Sequence, residues 1–240
     1  MKTIGRKQLL QKKHKYVPLT GKLLDTFGKM PVASLICVFG LNGVGKTELV
    51  HQVVCALLDI FKNMRARWVS YEQGHGADIQ EAVKRNFNDT HDGQIAFSDP
   101  YEDFVPGMSL LQELDAEMSK PKSAWIWVID SIDAAHFDEE EFWNMYKKHS
   151  KKKLIICLSF EVNGQPKTVL ARNIGGYGHY KIHVKKFIGY VEKSRFGGDA
   201  DYIIYEERAR ELNKAYFELL EGIAPVPVKK VRKARKTSKK

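Results

Sequence analysis

The chain has 240 residues, 43% of them hydrophobic and 28% charged, with a net charge of +10. That length and balance fit one α/β domain able to bury a substantial core. No apolar run approaches the ~20 residues needed to cross a bilayer, and the N-terminus lacks a secretory apolar region. A membrane-spanning or secreted class is thereby excluded and a cytoplasmic one expected.

The charge is unevenly placed. Residues 229–240 hold eight Lys or Arg and no acid, and the N-terminal arm adds Lys2, Arg6, Lys7, Lys12, Lys13 and Lys15. The middle is therefore close to neutral, with a basic extension at each end, a pattern suited to nucleic-acid phosphates or to solubility. The cysteines, Cys37, Cys55 and Cys157, each fall in an apolar segment without paired spacing. They read as small buried hydrophobes in a reducing compartment, and the histidines show no metal-ligand spacing either.

In chain order, residues 1–16 are expected to form a loose basic arm, and Tyr16 to Pro31 a short helical or looped approach. Leu35 to Phe39 is long enough for a buried strand. It runs into Gly40-Leu41-Asn42-Gly43-Val44-Gly45-Lys46-Thr47, which fills the G-x-x-x-x-G-K-[ST] pattern of a phosphate-binding P-loop. From Lys46 to about Asn63, Leu49, Val50, Val53, Val54, Leu57, Leu58 and Phe61 recur at helical spacing. Strand, glycine loop and helix are the context this motif requires. The glycines let successive N–H groups point at phosphate oxygens, and the helix adds the positive end of its dipole. Lys46 is placed for the β- and γ-phosphates of ATP, and the Thr47 hydroxyl for Mg²⁺.

A second strand, Ala66 to Tyr71, ends in Glu72. An acid at the carboxyl end of a strand beside the P-loop strand is well placed to act on the γ-phosphate, because ligand sites of open parallel sheets lie at those ends. A helix is expected over Asp78 to Phe87, a short strand over Gln94 to Ser98, and a helix over Ser109 to Met118 with Ser109 as N-cap. Ala124 to Ser131 is an unbroken apolar strand ending in Asp130, the second P-loop signature, whose aspartate holds Mg²⁺ across from Thr47. An amphipathic helix follows over Glu139 to His149. The strand from Lys153 to Leu158 ends at Ser159, where a polar group can sense the γ-phosphate. Glu161 to Gly178, rich in Gly, Asn, Gln and Lys, reads as a mobile loop. The runs His179–Lys185, Phe187–Glu192 and Tyr202–Tyr205 read as antiparallel strands closing the sheet edge. Glu206 to Glu221 is a strand or helix, and Pro225 and Pro227 open a linker to the tail. The division expected is a 1–16 arm, a 17–221 ATPase domain and a 222–240 linker and tail.

Over about residues 17–206 the chain resembles the RecA-like P-loop ATPases, in particular the RadA, KaiC and DnaB-helicase branch. It is also similar to small ATP-binding proteins of phages and bacterial mobile elements. The resemblance rests on Gly40–Thr47, Val69-Ser70-Tyr71-Glu72, Val128-Ile129-Asp130-Ser131 and Glu192-Lys193-Ser194-Arg195-Phe196-Gly197-Gly198. It implies an α/β fold with a mostly parallel sheet and antiparallel strands at the C-terminal edge. It makes Glu72 the glutamate that activates water. It also makes Lys193 and Arg195 a K-x-R-F-G element reaching a neighbouring subunit's ATP, within a ring or filament. Ser159-Phe160-Glu161 stands where the family has a Gln or His sensor. No appended protease-like, zinc-ribbon or primase-binding domain is expected, so the partner functions of those relatives do not carry over.

The function implied is a Mg²⁺-dependent ATPase acting on DNA in replication, recombination or repair. Single-stranded DNA would meet the basic tails and the 161–178 loop. The competing reading is an ATP-dependent loader or adaptor whose nucleotide state controls protein assembly. A small-molecule kinase fares worse, since neither an acceptor pocket nor an arginine-bearing lid is evident.

Overall fold

The computed structural model describes residues 3–102 and 106–222; the basic run 229–240 and the linker before it lie outside them. Strands β1 (Leu35–Gly40), β2 (Ala66–Ser70), β3 (Ile95–Ser98), β4 (Ile126–Asp130) and β5 (Leu154–Val162) are joined by β6 (Gln165–Pro166), β7 (Tyr180–Lys185), β8 (Ile188–Ser194) and β9 (Tyr202–Ile203). Their order is β3-β2-β4-β5-β1-β7-β8-β9, with β6 paired to the end of β5. From β3 through β7 every pairing is parallel; β8 and β9 add antiparallel strands at the edge.

Alternation sorts the core into two layers. In β1, Ile36 and Val38 face one side and Leu35 and Cys37 the other. On the first side packs α3 (Lys46–Ile60), whose Leu49, Val50, Val53, Val54, Leu57 and Leu58 are all buried. The other side is covered by α5 (Leu110–Ser119), α6 (Glu139–His149) and α7 (Val169–Tyr177). Each buried Leu, Ile or Phe contributes about 1.5–3 kcal/mol, so both faces of the sheet must be covered, as crossover helices do. The Ser109 cap is as the sequence suggests, its hydroxyl accepting from the Gln112 amide at 3.1 Å, and Asp138 caps α6 by accepting from the Glu141 amide at 2.9 Å. Further helices are α1 (Arg6–Leu10), α2 (Gly21–Phe27), α4 (Ala77–Asn86), α8 (Glu206–Leu212) and α9 (Lys214–Leu220), with a 3₁₀ turn at Asp89–His91.

Four expectations are corrected. β2 does not lie beside β1, because β4 and β5 stand between them; strand order is set by long-range pairing that no local pattern records. The segment 161–178 is not a mobile loop. β5 continues to Val162, turns at Asn163-Gly164, both at positive φ, returns as β6 and enters α7. Asn-Gly between two extended pairs is the strongest local hairpin signal. The run 180–185 pairs parallel with β1, so only its contact with β8 is antiparallel. The N-terminal arm contains α1, which buries nothing, and it is fastened where Tyr16 bridges Pro31.

Candidate nucleotide site

β1 delivers Gly40 to the carboxyl edge of the sheet, where the backbone must curl. A Cβ on Gly40 would run into the Val184 carbonyl, and Gly43 and Gly45 hold φ of 70° and 101°. Only glycine adopts these conformations at little cost. Gly45 then caps α3. Leu41, Asn42 and Gly43 are exposed, Val44 packs on the core, and Lys46 donates to the carbonyls of Gly40 (3.0 Å) and Leu41 (2.8 Å).

The acids arrive from strands further along the sheet. Ser70 is in register with Asp130, and the Tyr71 amide donates to the Asp130 carbonyl at 2.6 Å. This ties Glu72 to the end of β4. The Ser70 hydroxyl accepts from the Gln73 amide at 3.2 Å and shapes the turn that carries Glu72. Asp130 is almost fully buried, and burial, with the Glu72 carboxylate adding to it, pushes its carboxyl up to about 7 while Lys46 pulls it back. Burial likewise raises Glu72, against the pull of Lys46. Lys46 is lowered by burial and raised by Asp130, Glu72, Asp133 and Glu161 in turn. Two strained carboxyls around one lysine are the chemistry that a divalent cation relieves. Thr47 and Asp130 therefore fit Mg²⁺.

Asp133, which the sequence reading passed over, is a buried carboxylate with a full set of partners. It accepts from the Ser159 hydroxyl (2.8 Å), the Phe160 amide (2.7 Å) and the Thr168 hydroxyl (2.8 Å). Ser159 is fully buried in this contact, which fastens the middle of β5 to the turn that follows β4. Its neighbours face the lysine instead: the Phe160 ring centroid lies 5.1 Å from Lys46 Nζ, and Glu161 acts on Lys46 through its charge.

A cavity of about 700 Å³ opens beside the loop, lined by Gly43, Gly45, Lys46, Thr47, Gln73 and Asp78 on one side and by Phe187, Ile204, Tyr205 and Arg208 on the other. That volume suits a nucleotide-sized ligand. The second group was missed by sequence. Its one local signal is Lys186-Phe187, the two-residue turn between β7 and β8, where both residues hold positive φ (48° and 63°) without a glycine or asparagine. Bulky residues rarely adopt that region, and such strain collects at functional sites. The Phe187 amide donates to the Val44 carbonyl at 3.0 Å and the Ile204 amide to the Phe187 carbonyl at 2.9 Å, so this turn is fastened to the P-loop.

Lys193 and Arg195 lie elsewhere. Ser194 pairs with Tyr180, which pairs with Ile36, four residues before Gly40. By the same register Lys193 lies opposite Lys181 and Cys37, so Lys193 sits about 10 Å and Arg195 about 13 Å or more from the loop along the sheet, toward its amino end. Lys193 donates to the carbonyls of Gly175 (3.3 Å) and Gly178 (2.8 Å), and also to Gly176. Arg195 donates to Gly178 (3.1 Å) and Tyr177 (3.3 Å). Both cations thus cap the negative end of α7. One network bridges the two ends: His183, stacked on Phe39 at 4.2 Å, lies 2.7 Å from Glu161 and 3.0 Å from Glu192, which Lys181 pairs at 2.8 Å.

No protein-family profile matches the sequence, and no curated protein matches it. Solved structures do. The flagellar accessory protein FlaH from Methanocaldococcus jannaschii superposes with a TM-score of 0.57 at 17% identity, over 80% of this chain and 100% of that one. The KaiC-like protein PH0186 from Pyrococcus horikoshii gives 0.56 at 14% identity, over 79% and 93%. The likeness shows the fold: an α/β domain with a mostly parallel central sheet and antiparallel strands at one edge. Among the described residues no helix is long and apolar enough to cross a membrane.

Proposed function

We propose that the chain binds and hydrolyses ATP with Mg²⁺, in an active site completed by a neighbouring subunit. The observation that carries this reading is the meeting of Lys46, Asp130 and Glu72 at one edge of the sheet, where both carboxyls act on Lys46 and Lys46 acts on both of them. Lys46 binds the β- and γ-phosphates within the cradle Gly40–Thr47. Thr47 and Asp130 hold Mg²⁺, which neutralises phosphate charge when bound. Glu72, lifted above its ordinary range by burial, takes the proton of the attacking water. The base and sugar lie toward Phe187, Tyr205 and Arg208.

Lys193 and Arg195 are too far along the sheet to serve their own P-loop, which favours a role in trans. They stabilise the charge of a neighbour's transferring phosphate once released from the α7 carbonyls. On the strength of residues 193–198 we place the chain with the RadA, KaiC and DnaB-helicase branch and near the small phage and mobile-element proteins. The arm 1–16 and the segment 222–240 are then basic appendages of one ATPase domain, 17–221, working on DNA in the cytoplasm in replication, recombination or repair. A second reading, an ATP-dependent loader or adaptor, is favoured by the flagellar accessory protein among the structural neighbours, an accessory to a protein machine by its title.

One experiment separates them: the Mg²⁺-dependent ATPase rate against protein concentration, with and without single-stranded DNA. The DNA-acting reading expects the rate per chain to rise with concentration and again with DNA. It also expects removal of residues 229–240 to flatten the salt dependence of DNA binding by up to ~0.7 in log–log slope per lost phosphate contact. A rate indifferent to DNA, together with ATP-dependent assembly, selects the adaptor. Absence of both ATP binding and hydrolysis overturns the proposal.

A further inference from the structure

A second cluster of chemically capable side chains lies away from the nucleotide cavity, where the C-terminal half of α3 meets the 3₁₀ turn that leads to edge strand β3. Cys55 and Asp59 are one helical turn apart, so they leave α3 on the same side. His91 comes from the 3₁₀ turn, 36 residues after Cys55 in sequence. Its ring is almost fully buried, with Phe87 packed edge-on at 5.5 Å. The Cys55 sulfur lies 3.6 Å from His91 Nε2, Asp59 Oδ1 lies 3.5 Å from that nitrogen, and Asp59 Oδ2 lies 4.0 Å from the sulfur. Among the described residues no other group of three His, Cys, Asp or Glu brings its donor atoms so close together.

Those separations can be set against an ion. A tetrahedral Zn²⁺ with bonds of about 2.3 Å to sulfur and 2.0–2.2 Å to nitrogen and oxygen spaces its donors about 3.3–3.6 Å apart. With one oxygen of Asp59 taken as the ligand, the three donor atoms lie within 4.8 Å of one another, close enough for small side-chain rotations to close that triangle. We propose that Cys55, Asp59 and His91 form a three-ligand site for a divalent transition-metal ion of the zinc type, with the fourth position open to water. The mixed sulfur, nitrogen and oxygen set selects such an ion over Mg²⁺ or Ca²⁺, which take oxygen. The site is therefore chemically separate from the one at Thr47 and Asp130.

Two neighbours tune it. Lys62 pairs with Asp59 Oδ1 at 2.8 Å, an exposed ion pair with which the ion competes. The Asn88 amide points at His91 Nδ1 over a long 3.3 Å, so the proton of the free neutral ring sits on Nε2. Coordination moves that proton to Nδ1, gives up the Asn88 contact, and sends the Cys55 thiol proton to solvent. With that exchange and only three protein ligands, the ion loads reversibly instead of holding the fold together. A bound ion pins the turn before β3 to the helix whose first turn carries Lys46 and Thr47.

The test is titration of the full-length protein with Co²⁺, read by visible absorption. Cys37 and Cys157 are completely buried, so a thiolate-to-cobalt charge-transfer band reports Cys55. One Co²⁺ per chain is expected, with that band and the d–d bands of a tetrahedral ion, displaced by Zn²⁺ and not by Mg²⁺. Cys55→Ala should abolish the charge-transfer band, and Asp59→Ala should weaken binding about 10-fold or more. Asp59 is about half exposed and Cys55 partly so, and far-ultraviolet circular dichroism checks that both variants fold. Absence of a thiolate band, or binding that survives either substitution unchanged, overturns the site. The readout involves no nucleotide, so it stands or falls independently of the ATPase reading.

Discussion

The two ends of the parallel sheet hold charge in opposite ways. At the carboxyl end, Lys46 rests on main-chain carbonyls, those of Gly40 and Leu41, but two acids that it does not ion-pair crowd beside it, and burial pushes both carboxyls toward neutrality. At the amino end, Lys193 and Arg195 are settled, each donating to main-chain carbonyls at the close of α7. The first arrangement stores electrostatic strain that phosphate and a divalent cation relieve. The second stores two cations on neutral acceptors, from which they can be drawn by a stronger negative charge. In the proposed reading, a single chain carries a reactive site and a finger that serves a neighbour. The His183 network, running from Glu161 to Glu192, joins them through the body of the sheet.

The largest effect should come from the carboxyl end. Glu72→Gln keeps the size and hydrogen bonding of the side chain and removes the base. ATP should still bind, while single-turnover hydrolysis falls about 10²–10⁴-fold. Hydrolysis at the wild-type rate would make Glu72 a structural group.

The next effect separates the carboxyl-end layer from the rest by pH. His51, on α3, is fully buried against Trp68 at 4.2 Å, and neither ring nitrogen has a hydrogen-bond partner. Burial pushes it down to about 4. An unfolded histidine titrates near ~6.5, so between those values the unfolded chain binds more protons. Stability is then greatest above about pH 6.5 and falls as the pH drops toward 4, by up to roughly 3 kcal/mol from this residue. Chemical denaturation of wild type and His51→Leu at a series of pH values isolates the difference. Parallel pH profiles would mean that the folded state accommodates the imidazolium.

A smaller effect is expected on the base side of the cavity. Phe187→Ala removes the ring that packs beside Gly45 and should weaken ATP binding about 10-fold, the scale of one lost base-stacking contact. Lys46 and Asp130 stay in place, so the hydrolysis rate at saturation should hold. An unchanged affinity would place the base elsewhere.

These sites differ in how far the sequence exposed them. Gly40–Thr47, the apolar run ending at Asp130 and the bounds of α6 were legible because each is a local pattern: a loop spacing, a buried strand, a 3.6-residue period. The placement of Glu72 at the carboxyl edge rests on an incorrect strand order, since pairing of β2 with β4 and not β1 is a long-range event. The composition of 161–178 points to a loop, although Asn163-Gly164 marks a hairpin turn within it. Phe187, Tyr205 and Arg208 left almost no local trace, because the cavity wall is assembled by β8, β9 and α8 folding back onto the P-loop. Cys55 lost its resemblance to Cys37 and Cys157 only when His91 was brought beside it.

The claim that most needs testing is that the two ends meet across subunits. Glu72→Gln has a broken site and an intact finger; Arg195→Ala has an intact site and no finger. Each alone should be nearly inactive, since an arginine supplied in trans is worth ~10³-fold or more. When the two are mixed under conditions where subunit exchange is shown directly, interfaces form that join an intact site to an intact finger. The ATPase rate of the mixture should then rise well above that of either variant. A mixture that exchanges subunits and stays as inactive as its parts would contradict the shared site and leave Arg195 as the cap of α7.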